Sequence, residues 1–237
     1  MYRERRAFLK RLLDVSENGV LLDCGCREMK TTQEISEIIR PSKVIGIDHE
    51  FQALKQAAMG NAVRIQADLN APFPLPDNSV DVASAIDVIE HLVEPYIFAK
   101  EVYRVLKPGG YFVVDTPNLA SWHNVVALIM GMQPFSGPNV KTMRDSESGF
   151  VREIKESTYN WSQESDYYND IERRLSKHIV VMAYRALVQL LREQGFKIEI
   201  AEGFGYYPFP PLMARLLQKL DKMHAHHIVV KARKPND

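Results

Sequence analysis

Four carboxylates recur in step through the N-terminal half of the chain. Asp23 closes the run GVLLD, Asp48 closes KVIGID, Asp68 follows a short third apolar run, and Asp87 follows VDVASAI. An ionised carboxylate only accepts hydrogen bonds, so one at a strand end can take both hydroxyls of a ribose diol and a second can take an adenine amino group. Each alone also reads as a helix cap or a solvated turn. Four at the ends of successive strands describe a nucleoside pocket. Past Asp87 the run DVIEH adds Glu90 and His91. His91, one helical turn beyond Asp87, is the candidate proton acceptor; the structural alternative has Glu90 and His91 only capping the next helix and holding the loop.

The elements that must position these groups alternate short β-branched runs with helix-period segments, the pattern of βαβ units and a mostly parallel sheet. Strands are expected at 19–23, 43–48, 62–66, 80–86, 111–115, 196–201 and 227–233. A capping box, Thr31 with Glu34, should open the first crossover helix and bury Ile35, Ile38 and Ile39. The next helix carries Phe51, Leu54 and Ala58. A third buries Phe98, Val102, Val105 and Leu106 before Pro108, Gly109 and Gly110 stop it. Further helices are expected near 183–194 and 208–223. After Pro117 the rhythm breaks, and 117–177 reads as a lid or substrate-binding insertion. It opens with an amphipathic helix over 121–130 whose buried face is Trp122, Val125, Val126 and Ile129. A smaller insertion spans 203–224, a helix occupies 1–18, and the whole of 1–237 is read as one domain.

Lys plus Arg and Asp plus Glu each number 30. No global field therefore draws the protein to nucleic acid or an anionic membrane, and a small or neutral substrate is favoured. Cys24 and Cys26 are too close along a strand end to bridge without strain, which implies reduced thiols and a cytoplasmic location. No apolar run spans a bilayer. Arg3 to Arg11 reads as a solvated basic face, and His224, His226 and His227 as surface or capping residues. No metal centre is expected, and the oligomeric state is left open.

VLLDCGC, VIGID, ADLNAPFPLPDNSVDV, DVIEHL and LKPGGYFVVDTPN resemble, in order, the motifs of class I S-adenosylmethionine-dependent methyltransferases. The resemblance covers about 20–118 and resumes over 178–231. It implies a Rossmann-like doubly wound α/β fold with a seven-stranded sheet of order 3-2-1-4-5-7-6, the last strand antiparallel. S-adenosyl-L-methionine is the implied cofactor and a small molecule the methyl acceptor, with O- or N-methylation as the reaction. Cofactor contacts are implied at Asp23, Gly25, Cys26, Asp48, His49, Asp68, Leu69 and Ile86. In ubiquinone-type relatives, positions matching Asp87, Glu90 and His91 bind a divalent metal. The first loop departs from the family's glycine pattern, with Arg27 and Met29 at two glycine positions, where positive φ or close approach to a ligand is needed. That departure supports an alternative: a catalytically impaired, cofactor-binding regulatory protein. A nicotinamide oxidoreductase would want G-x-G-x-x-G, which this chain lacks.

Overall fold

The computed structural model describes residues 2–14, 17–57, 59–137, 178–206 and 209–236. The apolar runs become strands β1 (Val20–Cys24), β2 (Lys43–Asp48), β3 (Val63–Gln66), β4 (Val80–Ile86), β5 (Leu106–Pro117), β6 (Lys197–Phe204) and β7 (His227–Arg233). They form one sheet of order β3-β2-β1-β4-β5-β7-β6, parallel except where β7 runs against β5 and β6. This is the expected architecture.

Both faces of such a sheet must be covered, so neighbouring residues of one strand serve opposite cores. Leu21 packs with Phe8, Leu12, Ile35 and Val44 beneath α1 (Tyr2–Leu12) and α2 (Lys30–Ile39). Leu22 packs on the other face with Phe98, Val102, Leu187 and Leu191, from α4 (Pro95–Val105) and α6 (Tyr184–Glu193). The remaining described helices are α3 (Phe51–Gln56), α5 (Trp122–Ile129) and α7 (Pro211–Leu220).

Several local expectations fail for tertiary reasons. The Thr31 capping box does not form: Met29 occupies the N-cap of α2 in a left-handed conformation without a side-chain cap, and Thr32 is buried instead. Pro108, Gly109 and Gly110 are not a terminator, because β5 starts at Leu106, directly after α4, and runs through them with a register shift opposite β4. Phe51 is exposed. In α5 the buried residues are His123, Asn124 and Ala127; of the apolar face expected, Trp122, Val125 and Val126 are half-buried and Ile129 is 80% exposed. The sheet edge offers polar partners there: Asn124 Nδ2 donates to the Asn118 carbonyl and the His226 ring lies against His123. Of the anticipated insertion, 138–177 lies outside the described residues.

Candidate cofactor and acceptor site

The register sets the site. Cys24 is level with Ile47 of β2 and Ala85 of β4, Asp48 with Gln66 of β3, and Ile86 with Asp115 of β5. The loops leaving β1 to β5 therefore emerge side by side at the carboxyl edge, where doubly wound sheets bind ligands.

The loop after β1 is built on positive φ. Gly25 has φ +71°, and a Cβ there would stand 2.5 Å from Val88 Cγ2, so only glycine fits. Arg27 and Met29, at the altered glycine positions, have φ 44° and 62°. They follow a glycine-type course at a cost of roughly 1–2 kcal/mol per residue. What holds them is visible. The Arg27 N–H donates to Asp48 Oδ2 at 2.8 Å, and the Met29 side chain is turned into the core beside Gly46 and Cys26. The Arg27 side chain points to solvent.

Asp48 is 3% exposed and its other oxygen accepts from the Glu50 N–H at 2.8 Å. His49 is exposed, its Nδ1 3.4 Å from Asp48 Oδ1. Asp23 is buried: Ser84 Oγ donates to it at 2.7 Å and Thr32 Oγ1 at 2.5 Å, and burial, partly opposed by these two bonds, lifts its pKa to about 6. Burial also pushes the Cys24 and Cys26 thiols up, leaving them unreactive. Asp68 is exposed and caps its own turn through the Asn70 N–H and side-chain amide, which hold its pKa down. Leu69 is buried beside it.

Asn70 escaped the sequence reading, although its D-L-N context marks an Asx turn. Its Oδ1 accepts from the Val93 and Glu94 N–H groups at 2.8 and 3.0 Å, tying the loop after β3 to the start of α4. Glu90 and His91 lie just before that junction. Those two stand in a short 3-10 turn, Ile89–His91, directly after the strained Asp87, φ 55°. Glu90 is 1% exposed and accepts from Thr116 Oγ1 at 2.9 Å; burial first, then Asp87, pushes its pKa up to about 8. His91 lies half-exposed, Nε2 3.9 Å from Glu90 Oε1 and its ring edge-on to His178 at 5.1 Å. His178 was missed because it lies 87 positions from His91 in the chain.

Two further corrections concern charge. Arg5 is not on a solvated face: its guanidinium bridges Asp87 and Asp115, each at 2.7 Å. His227 is buried, with Nδ1 2.9 Å from Asp115 Oδ1. Burial disfavours its charge, but Asp115 outweighs it and leaves the pKa above the usual histidine value. Asp87, Asp115 and His227 could also converge on a metal. The Arg5 guanidinium already supplies the positive charge there.

A family model described as a methyltransferase domain matches residues 22–114. A Mycolicibacterium smegmatis protein named "probable S-adenosylmethionine-dependent methyltransferase" is 36% identical over 49% of this chain and 45% of its own length. The chain is similar over 22–114 to a methyltransferase domain and has the fold of class I S-adenosylmethionine-dependent methyltransferases. It spans less than half the length of the first curated relatives it matches. A demethylmenaquinone methyltransferase of Listeria monocytogenes is 29% identical over 65% of each chain. The solved S-adenosylmethionine-dependent methyltransferase of Mesorhizobium loti superposes with a TM-score of 0.61 over 96% of each chain at 18% identity, a likeness of fold. No helix among the described residues is long and apolar enough to cross a membrane.

Proposed function

We propose that this methyltransferase transfers the sulfonium methyl of S-adenosylmethionine to an oxygen or nitrogen of a small-molecule acceptor in the cytoplasm. The observation that carries the reading is the course of the first loop. Arg27 and Met29 keep glycine-like φ, the Met29 side chain is buried in the core, and Asp48 holds the loop through the Arg27 N–H. This supports retained cofactor binding over the impaired, regulatory alternative. In the proposed complex the backbone at Gly25 and Cys26 lies along the cofactor, the lone pairs left on Asp48 take the ribose beside His49, Asp68 and Leu69 flank the adenine, and Ile86 bounds the methionine end. Asp23 acts from below, by fixing α2 through Thr32.

The methyl is already activated, so the protein's task is to align the acceptor, exclude water and take up a proton where the acceptor is a hydroxyl. His91 is the side chain proposed for that proton. Calorimetry with S-adenosylhomocysteine and release of labelled methyl in a metabolite screen test the two halves separately. Binding without transfer to any acceptor favours the regulatory alternative; no binding sinks both readings.

A further inference from the structure

α7 turns its apolar stripe outward. Leu212, Leu216 and Leu220 follow one another at every fourth position, so they share one face of the helix, and they are 83%, 57% and 75% exposed, with Met213 exposed beside them. The half-buried residues are Ala214 and Leu217, on the other side. A helix whose task was only to cover the sheet would bury the leucine stripe, and a row of exposed leucines, unlike a single one, marks an interaction surface. We infer that α7 is a docking helix for the surface of an anionic lipid bilayer. The inference is independent of methyl transfer.

Charge selects this partner. Residues 211–222 hold Arg215, Lys219 and Lys222 against a single acid, Asp221. Asp221 is already occupied, since Trp122 Nε1 donates to Oδ2 at 2.8 Å and Oδ1 lies 2.9 Å from His224 Nδ1 and accepts the Met223 N–H at 3.0 Å. Lys219 and Lys222 are exposed. An outward leucine stripe accompanied by lysines is what lies in the plane of a bilayer, with the apolar side chains at the acyl boundary and the ammonium groups among anionic headgroups. A second copy of this chain fits less well, because a two-fold interface would bring the same lysines together with no acid on α7 to receive them. The zero balance of the whole chain does not oppose the contact, since a few charges act on a surface within about a Debye length, ~10 Å.

Topology gives the docking a direction. Phe204, at the end of β6, and Pro117, at the end of β5, are both level with His227, where β7 begins. The connection from β6 to β7 that contains α7 therefore leaves and rejoins the sheet at its carboxyl edge, as does α5 after β5, and the Trp122 ring of α5 packs edge-on against Phe209 just before α7. A docked protein thus turns to the bilayer the end of the sheet that carries the candidate cofactor and acceptor site.

The test is co-sedimentation of the full chain with vesicles of phosphatidylcholine mixed with phosphatidylglycerol, compared with phosphatidylcholine alone. The chain should bind the mixed vesicles, bind the neutral ones far more weakly, and lose binding as salt is raised. Leu216→Asp and Lys219→Glu should each weaken binding at least about tenfold. Both side chains are exposed, so the melting temperature of the free protein should not change. Lys100→Glu, an exposed lysine on α4, should bind as the wild type does. The proposal is overturned if the wild-type chain does not bind the mixed vesicles, which would leave an acidic protein as the partner, or if Leu216→Asp binds them unchanged. It is equally overturned if Leu216→Asp splits a wild-type dimer, since the stripe would then be an interface between copies.

Discussion

The Arg27 N–H donates to Asp48 Oδ2 at 2.8 Å, joining the loop after β1 to the end of β2. Asp48 thus has two tasks in the proposed complex, since the carboxylate proposed for the ribose also holds the loop after β1. Asp48→Ala should weaken S-adenosylhomocysteine binding roughly tenfold to a hundredfold, as expected for lost charge-assisted bonds, and should lower the melting temperature of the free protein as well. Calorimetry and thermal scans read both. Unchanged affinity would remove Asp48 from the pocket.

Arg27 and Met29 share the strained conformation but not the outcome of relieving it. Arg27→Gly should stabilise by about 0.5–1 kcal/mol, the strain relieved less the entropy glycine loses on folding. Met29 is 2% exposed, and removing its side chain from the core should outweigh the relief, making Met29→Gly net destabilising by roughly 1–4 kcal/mol. Urea unfolding measures the pair. Destabilisation by Arg27→Gly would mean its φ is held without strain.

Arg5 links α1 to the ends of β4 and β5. Removing it leaves Asp87 and the fully buried Asp115 with only His227 in compensation. Arg5→Ala should therefore cost about 2–4 kcal/mol, with Arg5→Lys in between because one ammonium cannot bridge both carboxylates as a guanidinium does. Equal stability of all three proteins would show that α1 docks through Phe8, Leu9 and Leu12 alone.

Asp23 gives a pH signature. Its pKa is lifted by burial from 3.8 to about 6, so between those values the native state binds a proton that the unfolded chain has lost. Stability from this group is full below about pH 4 and falls as the pH rises to 6, by a few kcal/mol at most. Asp23→Asn should flatten that slope in denaturation curves measured from pH 4 to 7. The same slope in the variant would assign the effect to another group.

If His91 takes up the acceptor's proton, His91→Ala should lower turnover by about 10² to 10⁴ with little change in cofactor affinity. Activity that vanishes with a chelator and returns with Mg²⁺ would instead assign Asp87, Glu90 and His91 to a metal. Full metal-free activity in His91→Ala would exclude the proton role.

The sequence by itself determined the sheet and which carboxylates stand at its carboxyl edge. β-branched runs of strand length, spaced by crossover helices, admit few arrangements, and acidic residues at their ends fall at the carboxyl edge whatever the packing. The positions of Asp23, Asp48 and Asp68 at or near the ends of β1, β2 and β3 were legible for that reason, because strand periodicity is local. Tertiary structure decided which way each group faces and what it meets. Asp23 was turned to Thr32 and Ser84, Arg5 was drawn inward by two carboxylates, and α5 was rotated until His123 and Asn124 rather than Ile129 were buried. Each outcome depends on a partner far away in sequence. The Glu90-His91-His178 cluster is the clearest case, since residues so distant in the chain come together only when the segment before α6 hydrogen-bonds to the Glu90 carbonyl, a contact that no local pattern encodes.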